Sequence, residues 1–246
     1  MPTSRLSKTT MVSATFQSLP LTSMRKAVAA RMTGALRTIP HFRLVAEIEV
    51  DALLLLRKQL CEYPHEGISL NALFVKACAT ALMDVPGVNL QWSDTEVRQY
   101  RDADIAIVTA LPGGLATPIV RSANMKSIRE IARETKLLVK RAAENRLKVD
   151  EVCGGSFSIS NLGVYGVDQF DAIINPPQCA ILAVGRSRPV LLPDTGGRAR
   201  VANTIMATLS VDHRAIDGAT AAGFMEALRG RIEQPDHLLA DREMDR

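Results

Sequence analysis

The residue types best suited to chemistry gather at Thr208-Leu209-Ser210-Val211-Asp212-His213-Arg214-Ala215-Ile216-Asp217-Gly218. One of only four histidines stands there between an acid and a base, with a second carboxylate four residues on. Imidazole changes charge near neutral pH, so His213 in this setting reads as a general base. A solvated histidine hydrogen-bonded to its charged neighbours is the plainer reading of the same spacing. Asp217 occupies the place of a helix cap that can also hold the charges orienting an imidazole.

The flanking elements must position this cluster. Residues 204–211 form an apolar, β-prone run and residues 219–232 have helical spacing, so the cluster lies on a strand-to-helix turn open to a ligand. Met24, Val28, Met32 and Ala35 predict a helix over 22–36, which Ile39-Pro40 ends. Residues 42–50 alternate as a half-buried strand. Asp51 is expected to cap a helix to residue 60, and Ser69 one to residue 82. Short strands follow at 88–92 and 97–100, then a buried strand over 105–111 and a return over 115–120 after Pro112-Gly113-Gly114. Residues 127–145 predict an amphipathic helix with Ile128, Ile131, Ala132, Thr135, Leu138 and Val139 inward. Strands are expected at 156–161 and 180–184, and a hairpin over 186–201 with its tip at Asp194-Thr195-Gly196-Gly197. His65, in a polar loop, is expected only to be solvated.

At 246 residues and 47% hydrophobic content the chain can bury a full core, as one large domain or two fused halves. Residues 19–240 read as that domain, residues 1–18 as a linker or tail with a transit peptide as the alternative, and residues 241–246 as a second tail. Thirty basic residues stand against 26 acidic ones with no run of five like charges, which does not point to nucleic acid. The net charge of +4 suits an anionic, phosphate-bearing ligand. Cys61, Cys78, Cys153 and Cys179 are far apart, which fits buried thiols in a reducing compartment. No apolar run approaches the roughly 20 residues that cross a bilayer, so a soluble, cytoplasmic protein is expected, or a mitochondrial matrix one in a eukaryote. Helices and strands mix without strict βαβ alternation, and the usual nucleotide and metal motifs are missing from the sequence. An α+β fold with mixed or antiparallel sheets flanked by helices is the expectation.

The segment Asp212-His213-Arg214-Ala215-Ile216-Asp217-Gly218 resembles the Asp-His-Arg-x-x-Asp-Gly signature of the dihydrolipoyl acyltransferases of the 2-oxo acid dehydrogenase complexes. Pro20-Leu21-Thr22-Ser23-Met24-Arg25-Lys26, Ile39-Pro40-His41-Phe42, Gly113-Gly114-Leu115, Ser158-Ile159-Ser160-Asn161-Leu162-Gly163 and Ile174-Asn175-Pro176-Pro177 occur in that family's order, from about Leu19 to Pro235. The resemblance implies a fold related to chloramphenicol acetyltransferase, with coenzyme A and a lipoyl arm as thiol substrates. It implies His213 as base, Ser160 as oxyanion donor and Asp217 as support, with Arg25 as partner of that acid and Arg25 and Asn161 on the cofactor side. A strand-end hydroxyl bonding its own backbone is the plain alternative for Ser160.

The resemblance further implies a homotrimer, sites shared between subunits, a larger core, and 2-oxo acid or acetoin dehydrogenase and dihydrolipoyl dehydrogenase components as partners. Acetyl is the acyl group it favours, through the look of residues 164–178. No lipoyl-type lysine turn precedes Leu19, so the carrier is expected on a separate protein or on a removed segment. A non-catalytic core scaffold and a free-standing small-molecule acetyltransferase are the alternatives.

Overall fold

The computed structural model describes residues 16–62, 67–111, 114–194 and 196–239. In chain order the elements are α1 (Ser23–Thr38), β1 (His41–Glu49), α2 (Asp51–Cys61), α3 (Leu70–Asp84), β2 (Leu90–Trp92), β3 (Val97–Gln99), β4 (Ile105–Ile107), β5 (Thr109–Leu111), β6 (Gly114–Ala116), β7 (Ile119–Val120), α4 (Ile128–Ala143), β8 (Phe157–Asn161), β9 (Ala180–Val184), β10 (Arg188–Pro193), β11 (Ala199–Asp212) and α5 (Gly218–Glu233). His65, Pro112, Gly113 and Thr195 lie outside the described residues, as do the two tails but for 16–18.

One seven-stranded sheet carries the fold, in the order β1-β11-β9-β8-β4-β7, with β10 also on β11. β8 runs parallel to both β4 and β9, and the remaining pairs are antiparallel, so the expected mixed α+β architecture is what forms. Pro189 and Pro193 cannot donate to a ladder, which keeps β10 at an edge.

Helices cover one face of the sheet. Phe157 of β8 and Phe224 of α5 are fully buried there, their rings 5.3 Å apart and tilted by 48°. Burial of side chains of this size is worth about 1.5–3 kcal/mol each, so this layer supplies most of the cohesion. A smaller cluster covers the opposite face, where Ala35 and Ile39 at the end of α1 meet Ala172, Ile174, Ile181 and Ala183.

Four expectations need correction. Asp51 does not cap α2: it is the first helical residue, and its carboxylate instead accepts from the Asn203 N–H at 2.9 Å and the Asn203 amide at 2.6 Å, tying the helix to β11. The strand expected over 105–111 is two strands in separate sheets: Val108 is still tied to the main sheet by its N–H bond to Ile159 O of β8, and from Thr109 the chain pairs with β6 instead. Val139 lies on the exposed side of α4, where Ala142 takes the inward place instead. The thiols are not all buried, since Cys153 is exposed and Cys61 half-buried.

Candidate active site

His213 follows the last residue of β11, Asp212, which is paired with His41 of β1. Asp212 is fully buried and saturated with hydrogen bonds. Its N–H donates to Cys179 O at 2.8 Å, and its carbonyl accepts from the Ala215 and Ile216 N–H groups, both at 3.0 Å. Its carboxylate takes the Arg214 guanidinium as a fork, Nε to Oδ1 at 2.9 Å and Nη2 to Oδ2 at 2.6 Å, and also accepts the Arg214 N–H at 3.1 Å. A planar donor fork matched to a carboxylate adds geometry as well as energy. The residues on either side of His213 are therefore fixed, while its imidazole is exposed and rests against Phe42 with ring centroids 4.9 Å apart. The His213 N–H donates to Pro40 O at 3.1 Å, which ties this turn to the start of β1.

Asp217 is the N-cap of α5, accepting the Thr220 N–H at 2.7 Å. That bond, the Thr220 hydroxyl and, to a smaller degree, the nearby His213 hold its carboxyl below the usual carboxylate range. Arg25 does not pair with it inside the chain: among the described residues Arg25 shows only its backbone N–H bonded to Thr22 Oγ1 at 3.2 Å. The Arg25 side chain is exposed at the first turn of α1.

Ser160 lies on β8, only 8% exposed, and its hydroxyl has no hydrogen bond among the described residues. The strand alternation puts Phe157 and Ile159 in the helix-side core and Ser158 and Ser160 on the other face, with Ile181 and Ala183 as register partners. Ser158 is spent on Gln178 Oε1. Asn161 is spent too, since its amide donates to Asn71 Oδ1 at 2.6 Å and its carbonyl accepts the Gly163 N–H at 2.9 Å. Its carboxamide thus has both ends engaged, tying the loop after β8 to α3.

Ser160 and His213 do not meet within one chain. Ser160 is in register with Ala183, and Ala183 with Thr208, which is five residues short of His213 on β11 (208 against 213). Rises of about 3.3 Å per residue and steps of about 4.8 Å across two ladders put their Cα atoms roughly 20 Å apart. Two side chains cannot close that gap.

Three residues beside the site escaped the sequence reading. Phe42 backs the imidazole, Trp92 lies over the Arg214 guanidinium at 4.6 Å, and His41 clamps the chain beneath. His41 Nδ1 lies 2.9 Å from Ile39 O and its Nε2 accepts the Ile174 N–H at 3.1 Å, which assigns the proton to Nδ1. A usable signal existed for two of them, since His41 and Phe42 sit within the family-like segment Ile39-Pro40-His41-Phe42. Trp92, the single tryptophan, carried no spacing signal.

No group of three metal-binding side chains occurs among the described residues, and no described helix is long and apolar enough to cross a membrane.

The family profile described as 2-oxoacid dehydrogenases acyltransferase (catalytic domain) matches residues 13–240. The dihydrolipoyllysine-residue acetyltransferase component of the pyruvate dehydrogenase complex from Rickettsia conorii is 41% identical over 230 residues, covering 91% of this chain and 55% of that protein. The chain spans about half the length of the curated relatives it matches. A solved structure of dihydrolipoamide acetyltransferase from Azotobacter vinelandii, studied for the role of a serine, a histidine and an asparagine in its catalytic mechanism, superposes with a TM-score of 0.86. It is 26% identical and covers 92% of this chain and 94% of that one. A chloramphenicol acetyltransferase shares the fold at 15% identity and a TM-score of 0.54, over 86% of this chain and 96% of that one.

Proposed function

This chain belongs to the acyltransferase catalytic-domain family of the 2-oxo acid dehydrogenases, and from that premise we propose that it moves an acetyl group between coenzyme A and a dihydrolipoyl thiol. The observation that carries the reading is the turn at His213: an exposed imidazole whose two neighbours are locked by a buried carboxylate and its guanidinium fork. A fixed but reachable base is what thiol transfer needs, because a free thiol of pKa about 8.5 is mostly protonated at neutral pH.

The steps conserve protons and electrons. His213 takes the proton of the attacking thiol, and the thiolate adds to the thioester carbonyl. The Ser160 hydroxyl donates a hydrogen bond to the oxyanion so formed. Collapse breaks the original carbon–sulfur bond, and the departing thiolate recovers the proton from the imidazolium. No serine nucleophile is required, since the substrate thiol itself attacks.

The separation of Ser160 from His213 implies that each site draws its histidine from one copy and its serine from the next. A closed cyclic assembly with one repeated heterologous interface provides that arrangement, and a homotrimer is the form proposed. The exposed Arg25 becomes a candidate partner for Asp217 of a neighbouring copy, or for substrate phosphate. Asn161 is then proposed to shape the substrate channel through its loop. Larger cores, and 2-oxo acid or acetoin dehydrogenase and dihydrolipoyl dehydrogenase components, are the proposed assembly partners, in a cytoplasmic or matrix setting. His213 and Asp217 have the same separation as the histidine and asparagine named in the Azotobacter study, with an aspartate here in the second place.

The test is acetyl transfer from acetyl coenzyme A to dihydrolipoamide, with a hydroxyl acceptor run alongside. Dihydrolipoamide is expected to be the preferred acceptor, and His213→Ala to lower turnover by about two to four orders of magnitude with the fold intact. Preference for the hydroxyl acceptor would support a small-molecule acetyltransferase instead. A loss under about tenfold in His213→Ala would remove the base.

A further inference from the structure

We infer that Trp92 is a positioning residue for His213, acting through Arg214 and Asp212. The inference rests on the function proposed above.

The starting point is a buried charge. Asp212 is fully buried and Arg214 is the cation that takes both of its oxygens. A buried carboxylate left without its partner is strongly destabilised, so the guanidinium cannot leave without rearranging the turn. These two residues bracket His213 directly, so the pose of the guanidinium sets the peptide planes on both sides of the imidazole.

Something must then hold the guanidinium itself. The Arg214 side chain is one-third exposed, so one side of the pair is open to competition from water. The indole of Trp92 covers the guanidinium at 4.6 Å. Stacking on an aromatic face suits a planar, weakly hydrated guanidinium and keeps its fork aimed at the carboxylate.

The indole is itself placed by backbone bonds that end at the same turn. The Trp92 N–H donates to Pro177 O at 2.8 Å, and the Cys179 N–H donates to Leu90 O at 3.1 Å. Cys179 O then accepts the Asp212 N–H at 2.8 Å. The β2–β3 hairpin, the 177–179 connection and the end of β11 are thus one hydrogen-bonded unit, although β2 lies outside the main sheet. A tryptophan in a small separate hairpin is joined by backbone to the residue that anchors the base.

Trp92 also packs against the helix-side core, so a plain packing role has to be separated from a positioning role. Steady-state kinetics of Trp92→Leu, Trp92→Phe, Arg214→Lys and the Trp92→Leu/Arg214→Lys pair do so, with acetyl coenzyme A and dihydrolipoamide as substrates and turnover expressed per folded protein. Misplacing a reacting group slightly is enough to cost a large factor in rate, so Trp92→Leu is expected to lower kcat about tenfold with both KM values within about twofold. Trp92→Phe should recover most of that loss, because it keeps an aromatic face. Arg214→Lys, which loses the fork, should match Trp92→Leu, and the double variant should be no worse than the weaker single one by more than about twofold.

A Trp92→Leu protein with parental kcat overturns the inference, as does an effect confined to KM or one that multiplies with Arg214→Lys. If Trp92→Leu fails to fold, Trp92→Phe and Arg214→Lys decide alone: an unchanged kcat in Arg214→Lys overturns it. His213→Ala is measured beside them. Full activity there removes the underlying function, whereas an inactive His213→Ala with an active Trp92→Leu removes only the role of Trp92.

Discussion

Ser160 on β8 and His213 in the turn that follows β11 are held two strands and five residues apart. Ser160 is fixed by β8, and His213 by its N–H bond to Pro40 O and by the Asp212–Arg214 pair on either side of it, which keeps the two apart within one chain.

Co-refolding His213→Ala chains with Ser160→Ala chains should therefore restore part of the activity that each lacks alone. In a mixed ring some interfaces pair an intact histidine with an intact serine, whereas a ring of either variant has no such interface. Light scattering should show trimers or multiples of three. Mixed trimers, verified by mass, that are no more active than the separate variants would place both groups in one site of one chain.

Ser160→Ala should lower kcat by about 100-fold with little change in KM, because the hydroxyl meets its partner only as charge develops. A neutral effect would be expected of a strand-end serine that bonds its own backbone, but the Ser160 hydroxyl has no such bond among the described residues. Steady-state kinetics on the folded variant separate the two. A rise in KM alone would make Ser160 a binding group.

Asp217→Asn should keep the cap on α5, since asparagine serves as well as aspartate there, while Asp217→Ala should lower the melting temperature. The folded carboxyl titrates below its unfolded value, so its extra stabilisation is present above the ordinary aspartate range and is lost as the pH falls through the depressed folded value. The stability of the parent relative to Asp217→Asn should accordingly diminish on acidification below about pH 4. A constant difference from neutral pH to about pH 2 would contradict this.

Phe224→Ala should cost about 3–5 kcal/mol, because it empties a fully buried site against Phe157 that rigid strands and helices cannot refill. Denaturant unfolding with an unchanged slope measures it. A cost below about 1 kcal/mol would mean that the helix layer collapses into the space.

Much of the fold was legible because local signals and tertiary demands agreed. Ser69 caps the helix it was expected to cap, the amphipathic helix expected from residue 127 forms with Ser127 as its cap, and the apolar run at Ala180–Val184 is a strand buried on both faces. Asp51 shows why the agreement is incomplete. A carboxylate at a helix start satisfies the cap rule, but a nearby Asn203 competes for it across 152 residues of sequence, which no local rule weighs. The strand at 105–111 failed similarly, since a β-prone run interrupted only by Thr109 does not reveal that its two halves pair with different sheets. In the site, Asp217 as cap was readable from its place before a helix. The separation of Ser160 from His213 was not readable from residue types, because it depends on the register of three strands. Trp92 was hidden for the same reason: its partner Arg214 lies 122 positions away (92 against 214) and meets it only after the hairpin docks.

The first helix has consequences for the speed of backbone opening. Of the 16 residues of α1 only Ala35 is buried, and beyond its last turn the helix is held by Arg31 bonded to Pro176 O and by Met24 lying over Gly114. A helix of this length with so little cover is marginal in water. Its amides from Val28 to Met32 should therefore exchange with deuterium through local opening, on a much shorter clock than those of β11. Any second copy that covers Leu21, Met24 and Leu36 would slow that clock without touching the sheet, which makes the exchange rate of α1 a built-in gauge of assembly.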